Sequence, residues 1–233
     1  MRNDEYIFDA PPVVSVAVEG EEKRFPVRRI YCVGRNYAEH IREMGADERQ
    51  SPFFFQKPAD AIVENGAAVA YPPFTKDFQY EIELVLAIGK GGVDIAVDDA
   101  ANHIFGVAAG IDLTRRDVQI EARKTGRPWE IGKSFDASAP IGTIVPLKEG
   151  VLPEKGALSL RVNDEIRQRA DIADMIWNSA EIVSQLSRQY TLVAGDLIYT
   201  GTPAGVGPIN PGDEVVGEIE GVGTIRVTIT DPR

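Results

Sequence analysis

Glu81 and Glu83 stand two residues apart in a stretch that is otherwise apolar from Tyr80 to Ile88 and is ended by Gly89. A nearly continuous apolar run of this length, with several β-branched residues, reads as a buried strand. Side chains two apart on a strand share a face, so both carboxylates point the same way. Two like charges buried side by side are costly, and their pKa values rise unless something neutralises them. A hard divalent cation is the simplest neutraliser, because Mg²⁺, Mn²⁺ and Ca²⁺ take oxygen ligands. The alternative is a half-exposed edge strand with both glutamates in water.

A third oxygen donor stands at Asp112, at the end of a second apolar segment, Gly106 to Ile111. Three carboxylates with positions left for water or substrate suit a catalytic Mg²⁺. Asp112 also precedes a helix predicted over Thr114–Lys124, so it could serve instead as that helix's N-cap. Arg116 and Gln119 share a face of that helix near the strand end. Lys133 lies between Gly132 and Ser134, flanked by Ile131 and Phe135, either snorkelling to water or serving a site. His40 and Glu43 stand at i and i+3 on a short helix predicted between Asn36 as cap and Gly45 as stop. They are either a surface pair or a carboxylate orienting an imidazole that takes a proton from water. His103, within Asp98–Phe105, reads as structural.

The elements that must position these groups are mostly strands. The chain of 233 residues suits one domain, and 43% hydrophobic residues suffice for a full core. Strands are predicted at Val13–Val18, Ile30–Val33, Phe53–Lys57, Leu158–Val162, Leu197–Thr200, Glu214–Ile219 and Gly223–Thr230. Asn163–Asp164 reads as a hairpin turn and Asn178–Gln189 as an amphipathic helix. The Gly-rich stretch Gly201–Gly207 offers backbone N–H groups but lacks the lysine of a phosphate loop. No repeat or linker is visible. A net charge of −11, with the acidic residues spread along the chain, argues against nucleic-acid or anionic-membrane partners. The single Cys32 fits a reducing cytoplasm and a core position. No signal peptide or membrane span is expected.

Several segments then occur in order at suitable spacing: Gly34-Arg35-Asn36-Tyr37 through His40, Glu81-Ile82-Glu83-Leu84, Gly110-Ile111-Asp112, Arg116-Asp117-Val118-Gln119, Lys133-Ser134-Phe135 and Thr200-Gly201-Thr202-Pro203. Together they resemble the fumarylacetoacetate hydrolase family, from about residue 30 to the C-terminus. The chain is most similar to its short acylpyruvate-hydrolysing members, the fumarylpyruvate hydrolases of gentisate breakdown among them. The resemblance implies a mixed α/β, mainly β fold, a β-sandwich or roll with peripheral helices. The whole chain, 1–233, is then one catalytic domain, with N-terminal strands over 1–29 and the family core over 30–233. A homodimer is implied, as is one Mg²⁺, or Mn²⁺ in its place, on Glu81, Glu83 and Asp112. Longer relatives add a fourth carboxylate that no aspartate matches here.

By the same resemblance, His40 and Glu43 match the family's water-activating dyad, and Lys133 and Gln119 match groups that polarise the substrate carbonyl. Arg35, Arg116 and Thr202 are the candidates for holding the substrate's outer groups. The expected reaction is hydrolysis of the carbon–carbon bond of a 2,4-diketo acid, fumarylpyruvate to fumarate and pyruvate. A second carboxylate on that substrate calls for a cation at the far end of the pocket: Arg35, Lys57 or Arg127. The competing expectations are an oxaloacetate decarboxylase or a dienoate isomerase on the same metal site, and a cation that only stabilises the fold.

Overall fold

The computed structural model describes residues 6–37, 50–148 and 150–232. The expected helix carrying His40 and Glu43 lies outside the described residues. The chain forms a mainly β structure built on two large sheets. The larger sheet is centred on five strands: β1 (Arg29–Gly34), β2 (Phe53–Lys57), β3 (Ile82–Ile88), β4 (Ile104–Ile111) and β5 (Asp196–Tyr199). They are ordered β2–β1–β5–β3–β4, and Ala139–Ile141 and Ile62–Glu64 extend the sheet beyond β4. β5 runs parallel to β1, whereas β3 is antiparallel to both β5 and β4. All seven residues of β3 are buried, because both faces of this sheet are covered.

The two coverings differ. Leu84, Leu86 and Ile88 of β3, with Val107, Ala109 and Ile111 of β4, pack in one cluster with Leu158, Leu160, Val215, Ile225 and Val227 of the second, five-stranded sheet. Side chains of opposite parity, Val85, Ala87 and Ala108, join Ile30, Cys32 and Tyr199 in a second cluster, closed by Val16, Val18 and Phe25 from the N-terminal segment. By the two-residue period of a strand, Glu83 belongs to this second face.

The strand expected to run unbroken from Tyr80 to Ile88 is interrupted at Glu81. Phe78–Tyr80 pairs with Thr114–Arg115 in a separate three-stranded sheet, and β3 begins only at Ile82. The ladder is bridged there by Asp112 N–H donating to the Glu81 carbonyl at 2.8 Å, so the two acidic residues are tied at their backbones.

Two helices flank this junction, α1 (Arg116–Lys124) and the single turn α2 (Glu130–Lys133). Because Thr114–Arg115 is a strand and α1 begins at Arg116, Asp112 does not cap the helix. The helix predicted over Asn178–Gln189 is observed at Ser179–Ser187 with Asn178 and Glu181 forming a capping box. Asn36, expected to cap a helix, instead donates to Trp177 and Thr200 carbonyls at 2.9 and 2.8 Å and accepts from Trp177 N–H, clamping the β1 end to the β5 end. No helix among the described residues is long and apolar enough to cross a membrane.

Candidate active site

Carboxylate oxygens of Glu81, Glu83 and Asp112 all lie within 4.8 Å of one another, and all three residues are buried. Strand pairing places them: Ile82 is opposite Ile111 and Glu83 opposite Gly110, so Glu81 and Asp112 flank the same strand ends. Gly110 leaves the room this needs. A Cβ there would sit 2.5 Å from Val85 Cγ2 and 2.7 Å from the Tyr199 ring.

Cations hold the cluster together. Lys133 Nζ donates to Glu81 Oε2 and Asp112 Oδ2, both at 2.8 Å, and to Thr114 Oγ1 at 2.7 Å. Burial disfavours the Lys133 ammonium, but the charges of Asp112 and Glu81 outweigh it and hold its pKa above the ordinary value. Arg116 is fixed on three sides: Nη2 on Glu81 Oε1, Nε on Gln79 Oε1 at 2.8 Å and Nη1 on Gln119 Oε1 at 2.6 Å. Burial would raise the Glu81 carboxyl, but Lys133 and Arg116 bring it down to about 2. Glu83 has weaker compensation, a single N–H···O bond from Gly201 at 2.7 Å. Burial first, then the charges of Asp112 and Glu81, push its pKa well above the usual carboxylate range.

Lys57 turns away from the place expected of it. Its side chain is fully buried, and its Nζ donates to the Lys133 carbonyl and, at 3.2 Å, to the Leu113 carbonyl. The same Nζ lies 2.8 Å from Asp112 Oδ1, yet that oxygen accepts no well-aligned hydrogen bond and keeps an open lone pair. Three converging buried carboxylates, one under-neutralised and one with an unpaired oxygen, fit an oxygen-preferring divalent cation.

A cavity of about 350 Å³ opens onto this cluster. Glu81, Glu83, Gln119, Lys133, Arg116, Thr202 and Arg35 all line it, so the expected site residues that are described converge, except that Asp112 lies just behind the lining. A larger depression of about 880 Å³ lies elsewhere, between Val145–Lys148 with Val151–Pro153 on one side and the Glu218–Thr224 hairpin on the other, and contains none of these groups. Because Arg116 takes the amide oxygen of Gln119, the NH₂ is the side available to the cavity. Arg116 itself is engaged with the protein and orients Glu81 and Gln119. Thr202 Oγ1 accepts from Gln168 Nε2 at 2.9 Å, and Gln168 Oε1 accepts from Ile82 N–H at 3.0 Å. Gln168 was not anticipated: its place in a hairpin strand of the second sheet gives no local signal. His103, bonded to the Lys90 carbonyl and to Asp99, is structural as expected.

The Fumarylacetoacetate (FAA) hydrolase C-terminal family matches residues 29–230. The chain belongs to this family. Over 180 residues it is 47% identical to a fumarylpyruvate hydrolase of Ralstonia sp, covering 77% of this chain and 93% of that one. Over 205 residues it is 39% identical to the mitochondrial oxaloacetate tautomerase FAHD1 of Bos taurus, covering 88% and 93%. The crystal structure of fumarylpyruvate hydrolase from Pseudomonas aeruginosa in complex with Mn²⁺ and pyruvate superposes with a TM-score of 0.94. The identity is 51%, over 97% of this chain and 99% of that one. The mixed, mainly β architecture is therefore the family's own.

Proposed function

We propose that this chain is a metal-dependent hydrolase of the carbon–carbon bond of an acylpyruvate, with fumarylpyruvate as its substrate. The observation that carries the reading is the convergence of Glu81, Glu83 and Asp112 beside Lys133 and Gln119 on one cavity. It is supported by the relative, half identical in sequence, whose crystals hold Mn²⁺ and pyruvate.

Glu81, Glu83 and Asp112 would hold one Mg²⁺ or Mn²⁺, which when bound supplies Lewis acidity to the keto-acid end of the substrate. The chain's own groups do the rest. The Lys133 ammonium and the Gln119 NH₂ donate hydrogen bonds to the C4 carbonyl oxygen and stabilise the charge that develops there. His40, oriented by Glu43, accepts the proton of the water that attacks C4, a role assigned from the sequence because both residues lie outside the described ones. The C3–C4 bond then breaks, fumarate is released, and pyruvate leaves as an enolate that takes up a proton at C3. Arg116 keeps Gln119 and Glu81 in place, and Thr202 contributes a hydroxyl to the cavity wall. The acidic composition, the lone Cys32 and the family resemblance support a cytoplasmic, homodimeric enzyme with a single catalytic domain.

Assay of fumarylpyruvate and acetylpyruvate, with Mg²⁺ or with chelator, tests the reading, and no turnover of either acid would defeat it. The similarity to an oxaloacetate tautomerase favours a second reading, enol–keto or decarboxylation chemistry on the same keto-acid end. His40→Ala separates the two. It abolishes acylpyruvate hydrolysis, which needs an activated water, and leaves most decarboxylation of oxaloacetate intact.

A further inference from the structure

Beyond Tyr199, β5 leaves the side of β3. Tyr199 is opposite Val85, and Thr200 closes the ladder with its N–H and Oγ1 on the Leu84 carbonyl, at 3.0 and 2.9 Å. Gly201 then turns the chain away at φ 98°, where a Cβ would meet Asn36 Cβ at 2.7 Å. Ile82 shares strand parity with Leu84, so its N–H faces the gap that β5 has left. Gln168 fills this gap from the second sheet. Its strand, Glu165–Asp171, carries a bulge: Leu160 is opposite Gln168 and Arg161 opposite Ile166, which leaves Arg167 without a ladder partner. Among residues 165–169 only Gln168 is buried. Gly205 lets the cavity loop lie on the bulge, since a Cβ there would sit 2.3 Å from the Arg167 carbonyl oxygen.

We propose that Gln168 is a positioning residue of this active site: its side-chain amide stands in for a missing strand residue between Ile82 and the Gly201–Pro203 loop and turns the Thr202 hydroxyl proton into the cavity. The inference rests on the acylpyruvate reading above and deepens it. Gln168 Oε1 accepts from Ile82 N–H at 3.0 Å, while Nε2 donates to the Pro203 carbonyl at 3.0 Å and to Thr202 Oγ1 at 2.9 Å. That orientation of the amide is forced. The reverse would set NH₂ against the Ile82 N–H and an oxygen against the Pro203 carbonyl. Thr202 Oγ1 must therefore accept from Gln168, and the one proton of its hydroxyl is left to donate. Among the described residues no acceptor takes that proton, and Thr202 lines the cavity, so an oxygen of the substrate receives it. Gly201, next in the chain, donates to Glu83 Oε2 at 2.7 Å. One amide thus aligns the residue between Glu81 and Glu83 with the loop that seats Glu83 and aims Thr202.

Steady-state kinetics on fumarylpyruvate with Mn²⁺ test this through the pair. Thr202→Val raises KM roughly 10- to 100-fold, the worth of one hydrogen bond to a charged oxygen, with kcat changing less. Gln168→Met, of similar length but without the amide, raises KM in the same way. In its background Thr202→Val costs no more than about 2-fold further, because the two residues act as one unit. A residue that only holds the fold together gives the opposite pattern: losses that multiply in the double variant, and kcat falling with KM unchanged. Should Gln168→Met fail to fold, Gln168→Glu carries the same comparison. It keeps the acceptor for Ile82 N–H but puts an oxygen in place of the NH₂, onto which the Thr202 proton turns back. Wild-type KM in Thr202→Val, or losses that multiply, overturn the role of Gln168 and leave the hydrolase reading standing. If the wild type cleaves no diketo acid, that reading falls and this role with it.

Discussion

The Lys57 ammonium lies 2.8 Å from Asp112 Oδ1, with both side chains enclosed by protein. Removing one member of such a pair leaves the other charge buried and uncompensated, at a cost of about 3–5 kcal/mol. Lys57→Met is therefore expected to lower the Tm of the metal-free protein substantially. A divalent cation neutralises the same carboxylate, so added Mn²⁺ raises the Tm of the variant by more than it raises that of the wild type. Thermal unfolding of both proteins with and without Mn²⁺ measures this, and equal metal increments would contradict it.

Lys133 bridges Glu81 and Asp112 and lines the cavity beside Gln119. Its replacement in Lys133→Met removes one donor to the developing oxyanion. We expect kcat on fumarylpyruvate to fall about 10²- to 10³-fold with KM changing little. An unchanged kcat would remove Lys133 from the chemistry.

Gly132 lets α2 approach α1 closely: a Cβ there would sit 2.9 Å from Gln119 N and 3.0 Å from Gln119 Cα. Both neighbours are proposed catalytic residues, so Gly132→Ala spreads Gln119 and Lys133 apart. Steady-state kinetics should show kcat/KM lower by about 10-fold or more, since misplacement by about 1 Å can cost 10²-fold. Retention of wild-type kcat/KM would show that the spacing of the two helices is not what aligns these groups.

Much of this arrangement was legible in the residues. The two-residue spacing of Glu81 and Glu83 put both on one face, and the apolar strand before Asp112 brought the third carboxylate alongside. The break at Glu81 was hidden, because apolar residues flank it on both sides and the switch between sheets depends on pairing with the distant Thr114–Arg115. The end of a strand does not reveal which side its last residue faces, so Lys57 reads from the sequence as a pocket cation yet turns to Asp112. Arg116, a candidate substrate ligand from the sequence, lines the cavity with its guanidinium bonded to Gln79, Glu81 and Gln119, partners that converge only in three dimensions. Lys133, expected beyond a loop, sits on a helical turn too short to show periodicity.

Asp117, in the first turn of α1, accepts from Thr75 Oγ1 and from Lys76 N–H, tying the loop before the Phe78–Tyr80 strand to the helix that carries Arg116 and Gln119. Burial raises the Asp117 carboxyl, but these hydrogen bonds outweigh it and leave its pKa below the ordinary value. A depressed folded-state pKa means stability that is present above the unfolded value, about 3.9, and lost as pH falls through the folded one. Asp117→Ala should cost no more than about 1 kcal/mol at neutral pH, the group being largely in water. Urea unfolding at pH 7 and below pH 3 measures the difference, which should shrink at the lower pH. A difference that persists there would assign it to packing instead of charge.

Glu81, Glu83 and Asp112 are proposed to hold one divalent cation on which cleavage of a diketo acid depends. The most direct test is the rate of fumarylpyruvate hydrolysis by metal-stripped enzyme titrated with Mn²⁺, alongside Glu83→Gln. We expect no turnover without metal, full activity at one Mn²⁺ per chain, and loss of both tight Mn²⁺ binding and activity in the variant. Full hydrolysis in the presence of chelator, or wild-type Mn²⁺ affinity in Glu83→Gln, would contradict it.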